Sequence, residues 1–297
     1  MIRAMIRALA LAAALIATLI ATAATAQERP VIVADSYPVA HFAERRVGDA
    51  AEVRLPVPEG RDPAFWRPSI AEIAAIQSAD LIVLNGSGLV DWTTRASLPR
   101  SRTVDTGRGL ADELIATDTV THSHGGEGEH SHDGVASYTW LDFGLAARQA
   151  EAMADAVRRA VPGADVDANL DALLTDLAAL DALGEALPDG VRAIASHPRY
   201  QYLARAYGLD IASLDWGAGA TPDAAQVEAL RALAAERDAR VMIWEAEPTP
   251  EARAAVDALG LAQVVLPPLA MPPAGGDFVS AMRDGLAALA AASGTDG

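Results

Sequence analysis

The sequence predicts an α/β protein of two lobes, each with a mostly parallel sheet flanked by helices, joined by a long or kinked helix. Three observations carry that prediction. Short continuous apolar runs such as Leu81-Ile82-Val83-Leu84 and Val241-Met242-Ile243-Trp244 end in polar or turn-forming residues, as strands covered on both faces do. Helix-period segments alternate with these runs, which calls for parallel strands. Between two such blocks, residues 143 to 186 keep a helical period. At 297 residues the chain is long enough for about two domains with a sizeable core.

The elements follow in chain order. Arg3 and Arg7 precede an apolar run from Ala8 to about Ala21, and Ala24-Thr25-Ala26 offers small residues before Gln27. That is the pattern of a secretory signal peptide cleaved after Ala26. No cysteine follows to carry a lipid. Pro30 to Ala34 reads as a strand, His41 to Arg46 as helical turns, and Ala51 to Val57 as an alternating strand. Ser69 with Glu72 three residues later forms a capping box for the helix over Ile70 to Ile76. Leu81 to Leu84 is a buried strand, ended by Asn85-Gly86-Ser87-Gly88.

In the middle stretch, Leu145, Ala146, Gln149, Met153 and Val157 share one helical face. Pro162-Gly163 interrupts the pattern, which resumes through Leu170, Leu173, Leu174, Leu177 and Leu180. Arg192 to Ala195 and Val241 to Trp244 read as strands of the second lobe. Helices are expected at Tyr200–Tyr207, Asp223–Glu236, Thr249–Leu259 and Phe278–Ala291. The organisation expected is a signal peptide over 1–26, an N-terminal lobe over 27–142, a linking helix over 143–187 and a C-terminal lobe over 188–297.

Charge and composition exclude several functions. The net charge is −17, and loss of the two leader arginines takes it to −19, so the basic face that nucleic acid requires is missing. There are no cysteines, which removes disulfides, thiolate metal sites and thiol nucleophiles. Neither HExxH nor GxSxG occurs, and no enzymatic activity is expected. The exported chain is expected to be periplasmic and monomeric.

Residues 117 to 134 are polar and of low complexity. They hold His122, His124, His130 and His132 beside Glu127, Glu129 and Asp133. Imidazoles interleaved with carboxylates suit zinc, nickel or copper, so this segment is a candidate for metal capture. As a solvated insertion it would have no specific role.

Several motifs then line up. Val33-Ala34-Asp35-Ser36-Tyr37-Pro38, Asp62-Pro63 followed by Pro68-Ser69, Asn85-Gly86-Ser87-Gly88-Leu89-Val90-Asp91-Trp92, Trp140-Leu141-Asp142, Ser196-His197 through Tyr207-Gly208-Leu209, and a strand ending in Glu245 recur in order. Together they resemble the periplasmic zinc/manganese-binding proteins of ABC transporters, the cluster A-I solute-binding family, in its zinc-type form with a histidine-rich loop. The resemblance covers nearly the whole exported chain. It implies capture of a divalent metal, zinc before manganese, between two lobes, and delivery to an inner-membrane permease.

The resemblance also implies a ligand set, and here the sequence departs from it. Ala64 stands where the family has its first histidine, Tyr138 where it has the second, and Pro267 where it has an aspartate; His197 is kept. Alanine and proline donate nothing to a metal that wants four ligands. The candidate ligands of a rebuilt site are therefore His197, Tyr138, Glu245 with Glu247 nearby, and His41, with the loop histidines as a further source. Trp66, Trp140, Trp216 and Trp244 lie near the same motifs. An aromatic cleft would suit a small organic molecule or a metal chelate. Two further readings therefore stand beside metal capture: a diverged member with such a ligand, and a metal chaperone that uses the histidine loop alone.

Overall fold

The computed structural model describes residues 29–117 and 134–294, and the backbone of Thr121–His124 and Gly128–Ser131. The expected signal peptide and His132 lie outside the described residues, as do the side chains of His122, His124 and His130. Among the described residues no helix is long and apolar enough to cross a membrane.

The first lobe is a parallel sheet of β1 (Val31–Ala34), β2 (Glu52–Arg54), β3 (Leu81–Leu84) and β4 (Thr103–Asp105), in the order β2-β1-β3-β4. Helices α1 (Tyr37–Val47), α2 (Ile70–Gln77) and α3 (Trp92–Arg95) connect its strands. The capping box at Ser69 and Glu72 forms as the sequence predicts. β5 (Thr121–His124) and β6 (Gly128–Ser131) make an antiparallel hairpin that sets His122 opposite His130.

The middle stretch differs from a single helix. It is α4 (Phe143–Ala152), α5 (Ala154–Ala160) and α6 (Val166–Glu185). The break after α5 falls at Pro162, whose ring and missing N–H end a helix. α6 buries Val166, Leu173, Leu177, Leu180 and Gly184, one stripe along its length. It packs on α1, α4 and α5 of the first half, and on α10 (Phe278–Ser293) of the second.

The second lobe is a parallel sheet of β7 (Arg192–Ala195), β8 (Asp210–Ser213), β9 (Val241–Trp244) and β10 (Ala262–Val265), in the order β10-β9-β7-β8. Its remaining helices are α7 (Gln201–Ala206), α8 (Ala224–Arg237) and α9 (Pro250–Asp257). Counted from its own first strand, this sheet winds as the first one does. Each lobe therefore reverses direction between its first and third strands.

One continuous core runs beneath both lobes, from Ile32 and Phe42 through Leu173 and Leu177 to Ala193, Ile243 and Leu286. A smaller core covers the other face of the second sheet and takes Ile194, Met242 and Trp244. The alternation Ala193/Ile194/Ala195 and Val241/Met242/Ile243/Trp244 between the two cores is the period-two signature of a strand.

Candidate functional site

In an open α/β sheet the crevice outside the strand C-termini, at the reversal of strand order, is where ligands bind. In the second lobe that place lies after β7 and β9. Ser196 and His197 follow β7, and Glu245 follows β9. The two ends are tied together: the Glu245 N–H donates to Ser196 Oγ at 3.2 Å. His197 is buried, and its Nδ1 lies 3.3 Å from the Trp216 carbonyl oxygen and 3.7 Å from Asp215 Oδ1. A carbonyl only accepts, so Nδ1 carries a proton toward Trp216.

The first lobe brings Asp62 and Tyr138 to the same place. Asp62 lies in the loop after β2, where its Oδ1 accepts the Ala64 N–H at 2.9 Å, fixing the turn. Its Oδ2 accepts the Tyr138 hydroxyl at 3.2 Å. The segment around Tyr138 is held by the polar network of the first lobe's own reversal point. Asn85, which follows β3, donates to the Ser137 carbonyl at 3.1 Å, and buried Gln149 donates to Asn85 Oδ1 at 2.8 Å. The Thr139 hydroxyl lies 3.2 Å from Gln149 Oε1. Asp35, after β1, accepts the Asn85 N–H at 3.0 Å, and burial pushes its carboxyl up to about 7.

Between these groups stands Arg199. Its side chain is only 7% exposed. One terminal nitrogen, Nη2, donates to Asp62 Oδ2 at 2.7 Å, and its Nε lies 3.7 Å from Glu245 Oε2. The guanidinium carbon sits 4.7 Å over the Tyr138 ring and 5.7 Å from the Phe65 ring. Burial opposes its charge, but the carboxylates of Asp62 and Glu245, with the Tyr138 ring face beneath it, outweigh that and hold it firmly protonated. Burial raises the Glu245 carboxyl above its usual range, Arg199 draws it back, and Asp62 raises it further. Burial lifts the Tyr138 phenol well above its usual range, so its hydroxyl keeps its proton.

The structure thus brings together Tyr138, Glu245 and the loop that carries His197. It does not bring His41 there. That ring is buried on α1 among Tyr37, Phe42 and Phe278, and burial lowers its basicity to about 4. Glu247 points elsewhere and pairs with Arg253 at 2.5 Å. The tryptophans are interior packing. Trp140 is fully buried, Trp216 and Trp244 stack at 5.8 Å in the smaller core, and Trp66 meets Trp92 edge-on at 6.1 Å. An aromatic-lined cleft is therefore not what these residues form.

Asp62 and Arg199 complete this cluster and are not among the site residues expected from the sequence. In the stretch Ser196-His197-Pro198-Arg199-Tyr200, an arginine stands two residues after the histidine. Among the described residues no three His, Asp or Glu side chains converge as a metal site. The convergence that does exist is of two carboxylates and an aromatic ring upon a cation of the chain itself.

Residues 32–292 match the family described as ZnuA, "Zinc-uptake complex component A periplasmic". The chain is 29% identical over 204 residues to the zinc-binding lipoprotein AdcA of Streptococcus pneumoniae, spanning 65% of this chain and 40% of that protein's length. It is 27% identical over 233 residues to the high-affinity zinc uptake system protein ZnuA of Bacillus subtilis, spanning 72% of this chain and 70% of that one. The crystal structure of Zn(II)-bound AdcA from Streptococcus pneumoniae shares the fold with a TM-score of 0.70 at 25% identity, over 91% of this chain and 59% of that one.

Proposed function

Since the chain belongs to the ZnuA family of periplasmic zinc-uptake components, we propose that it is an exported binding protein for a divalent metal. Zinc is the first cargo and manganese the alternative. The metal is captured between the lobes and passed to an inner-membrane ABC permease. The observation that carries this reading is positional. His197 and Glu245 end neighbouring strands at the reversal point of one lobe, and Asp62 and Tyr138 reach the same place from the other.

The donor set suits the cargo. An imidazole whose Nδ1 is held by a carbonyl presents Nε2 to a metal, and carboxylates complete a nitrogen-and-oxygen set for zinc or manganese. His197 is the principal donor; Glu245, Asp62 and the Tyr138 oxygen, which are gathered around Arg199 in this structure, become its partners only once they rearrange about the metal. The histidine-rich segment gathers metal from solution and raises its concentration at the cleft. His41 has no part in this scheme.

Zinc titration by calorimetry tests it, on the chain without residues 1–26, beside His197→Ala and a deletion of residues 120–134. The expected result is a site in wild type that weakens about tenfold or more in His197→Ala, the scale of losing a ligand or its support. Binding that disappears with the loop deletion alone would transfer the metal to the histidine segment. No binding in any of the three would end the metal reading.

A further inference from the structure

We propose that Arg199 is a built-in competitor for the cargo cation: its guanidinium holds the cleft's carboxylates, and metal enters only by displacing it. This deepens the reading above and rests on it.

Four observations on one side chain carry the inference. Arg199 is buried at the junction of the lobes. It bridges carboxylates from both, donating to Asp62 at 2.7 Å and facing Glu245 at 3.7 Å. Its plane covers Tyr138 at 4.7 Å. Its Nε has no hydrogen-bond partner. A guanidinium placed for its own stability would be expected to satisfy its five donors. This one turns its Nε toward Glu245 at 3.7 Å, beyond hydrogen-bond length, and sits where positive charge is best stabilised.

The oxygens are committed. Asp62 spends Oδ1 on the Ala64 N–H and Oδ2 on Arg199 and Tyr138. Glu245 faces the same guanidinium. A divalent ion drawing on either carboxylate would lie within a few ångströms of a fixed positive charge, and like charges at that distance in a buried site repel strongly. Arg199 and the metal therefore exclude one another. Arg199 lies in the loop between β7 and α7, only two residues from His197, so the segment that supplies the imidazole also carries its competitor.

The arrangement sets an affinity threshold. With Arg199 seated, part of the cleft's carboxylate charge is answered without cargo, and a metal binds only with the affinity left after the ion pair is broken. The cleft would hold zinc less tightly than its donors allow, which favours release to a partner.

The test is a zinc titration of Arg199→Ala, Arg199→Lys and Arg199→Ala/His197→Ala beside wild type, with far-UV circular dichroism on each. Arg199→Gln takes the place of the alanine variant should the latter not fold. The expected result is at least about a tenfold gain in zinc affinity in Arg199→Ala, or 1.4 kcal/mol. The gain should vanish in the double variant and be absent in Arg199→Lys. A residue that only supports the fold would give no gain on removal. Ethylguanidinium should compete with zinc in Arg199→Ala and leave wild type unaffected.

If wild type binds zinc through His197 and Arg199→Ala binds no tighter, the competitor role is overturned while the metal reading stands. If wild type binds none and Arg199→Ala does, the competitor role holds and the cleft of the natural chain is closed to metal. If neither binds, both fail.

Discussion

The Trp140 indole N–H donates to the carbonyl of Pro268, 128 residues further along the chain, at 2.7 Å. The bond joins the segment beside Tyr138 to the turn after β10. That turn is also held by the Tyr200 hydroxyl on the Leu266 carbonyl at 2.7 Å and by the Tyr37 N–H on the Ala270 carbonyl at 2.9 Å. Leu269 adopts a left-handed φ of 58° within it, a conformation that needs such support in a non-glycine residue. Trp140→Phe should leave the Pro268 carbonyl without this donor and cost about 1–3 kcal/mol in urea unfolding. A loss no larger than a few tenths would show that the two lobes are held without it.

Asp62→Asn removes the charge that Arg199 answers and keeps the shape. A buried cation robbed of one partner is destabilising by roughly 3 kcal/mol or more. The midpoint of urea unfolding should fall accordingly, and Asp62→Asn/Arg199→Gln should regain part of it. Additive losses in the double variant would mean the pair is not coupled.

Two buried groups should oppose each other in pH dependence. His41 titrates at about 4 in the fold against 6.5 ordinarily, so between those values the unfolded chain binds the extra proton. Its contribution is present above pH 6.5 and is lost as pH falls toward 4 and through it, about 3 kcal/mol in all. Asp35 runs the other way. Its folded value of about 7 lies above 3.8, so the fold keeps a proton that the unfolded chain gives up. Its contribution is present below 3.8 and is lost as pH rises through 7. Between pH 4.5 and 6.5 the contributions of these two groups slope in opposite directions and offset one another. His41→Phe should make stability fall with pH there, and Asp35→Asn should make it rise. Identical profiles for all three would discard these assignments.

Ala64→His would put an imidazole two residues after Asp62, beside the Phe65 ring that faces Arg199. In the wild-type background it should change zinc affinity little, because the guanidinium still holds the carboxylates. Combined with Arg199→Ala it should add about a further tenfold, read by competition with a chromogenic chelator. Equal gains in both backgrounds would contradict this dependence on Arg199.

How much of this was legible in the sequence follows from where each residue lies. Leu81–Leu84, Arg192–Ala195 and Val241–Trp244 agree with their predicted bounds to the residue. They are central strands, and burial on both faces gives them continuous apolar runs. Thr103–Asp105, Asp210–Ser213 and Ala262–Val265 carried no such signal. All three are sheet edges, half-covered and of mixed polarity. His197 and Glu245 were legible because each ends a readable strand. Arg199 was not, because its meaning comes from Asp62, which is 137 residues away and is brought near only by the packing of the two lobes.

The continuous core beneath both lobes, with α6 running along it, has a kinetic consequence. Swinging the lobes apart would expose buried leucines of that helix, a slow and costly excursion. Turning one buried arginine out of its ion pair breaks a single local contact and leaves that helix packed. If Arg199 gates the cleft as proposed, exchange there would be timed by the lifetime of a single charged contact, with the outer outline of the protein nearly constant.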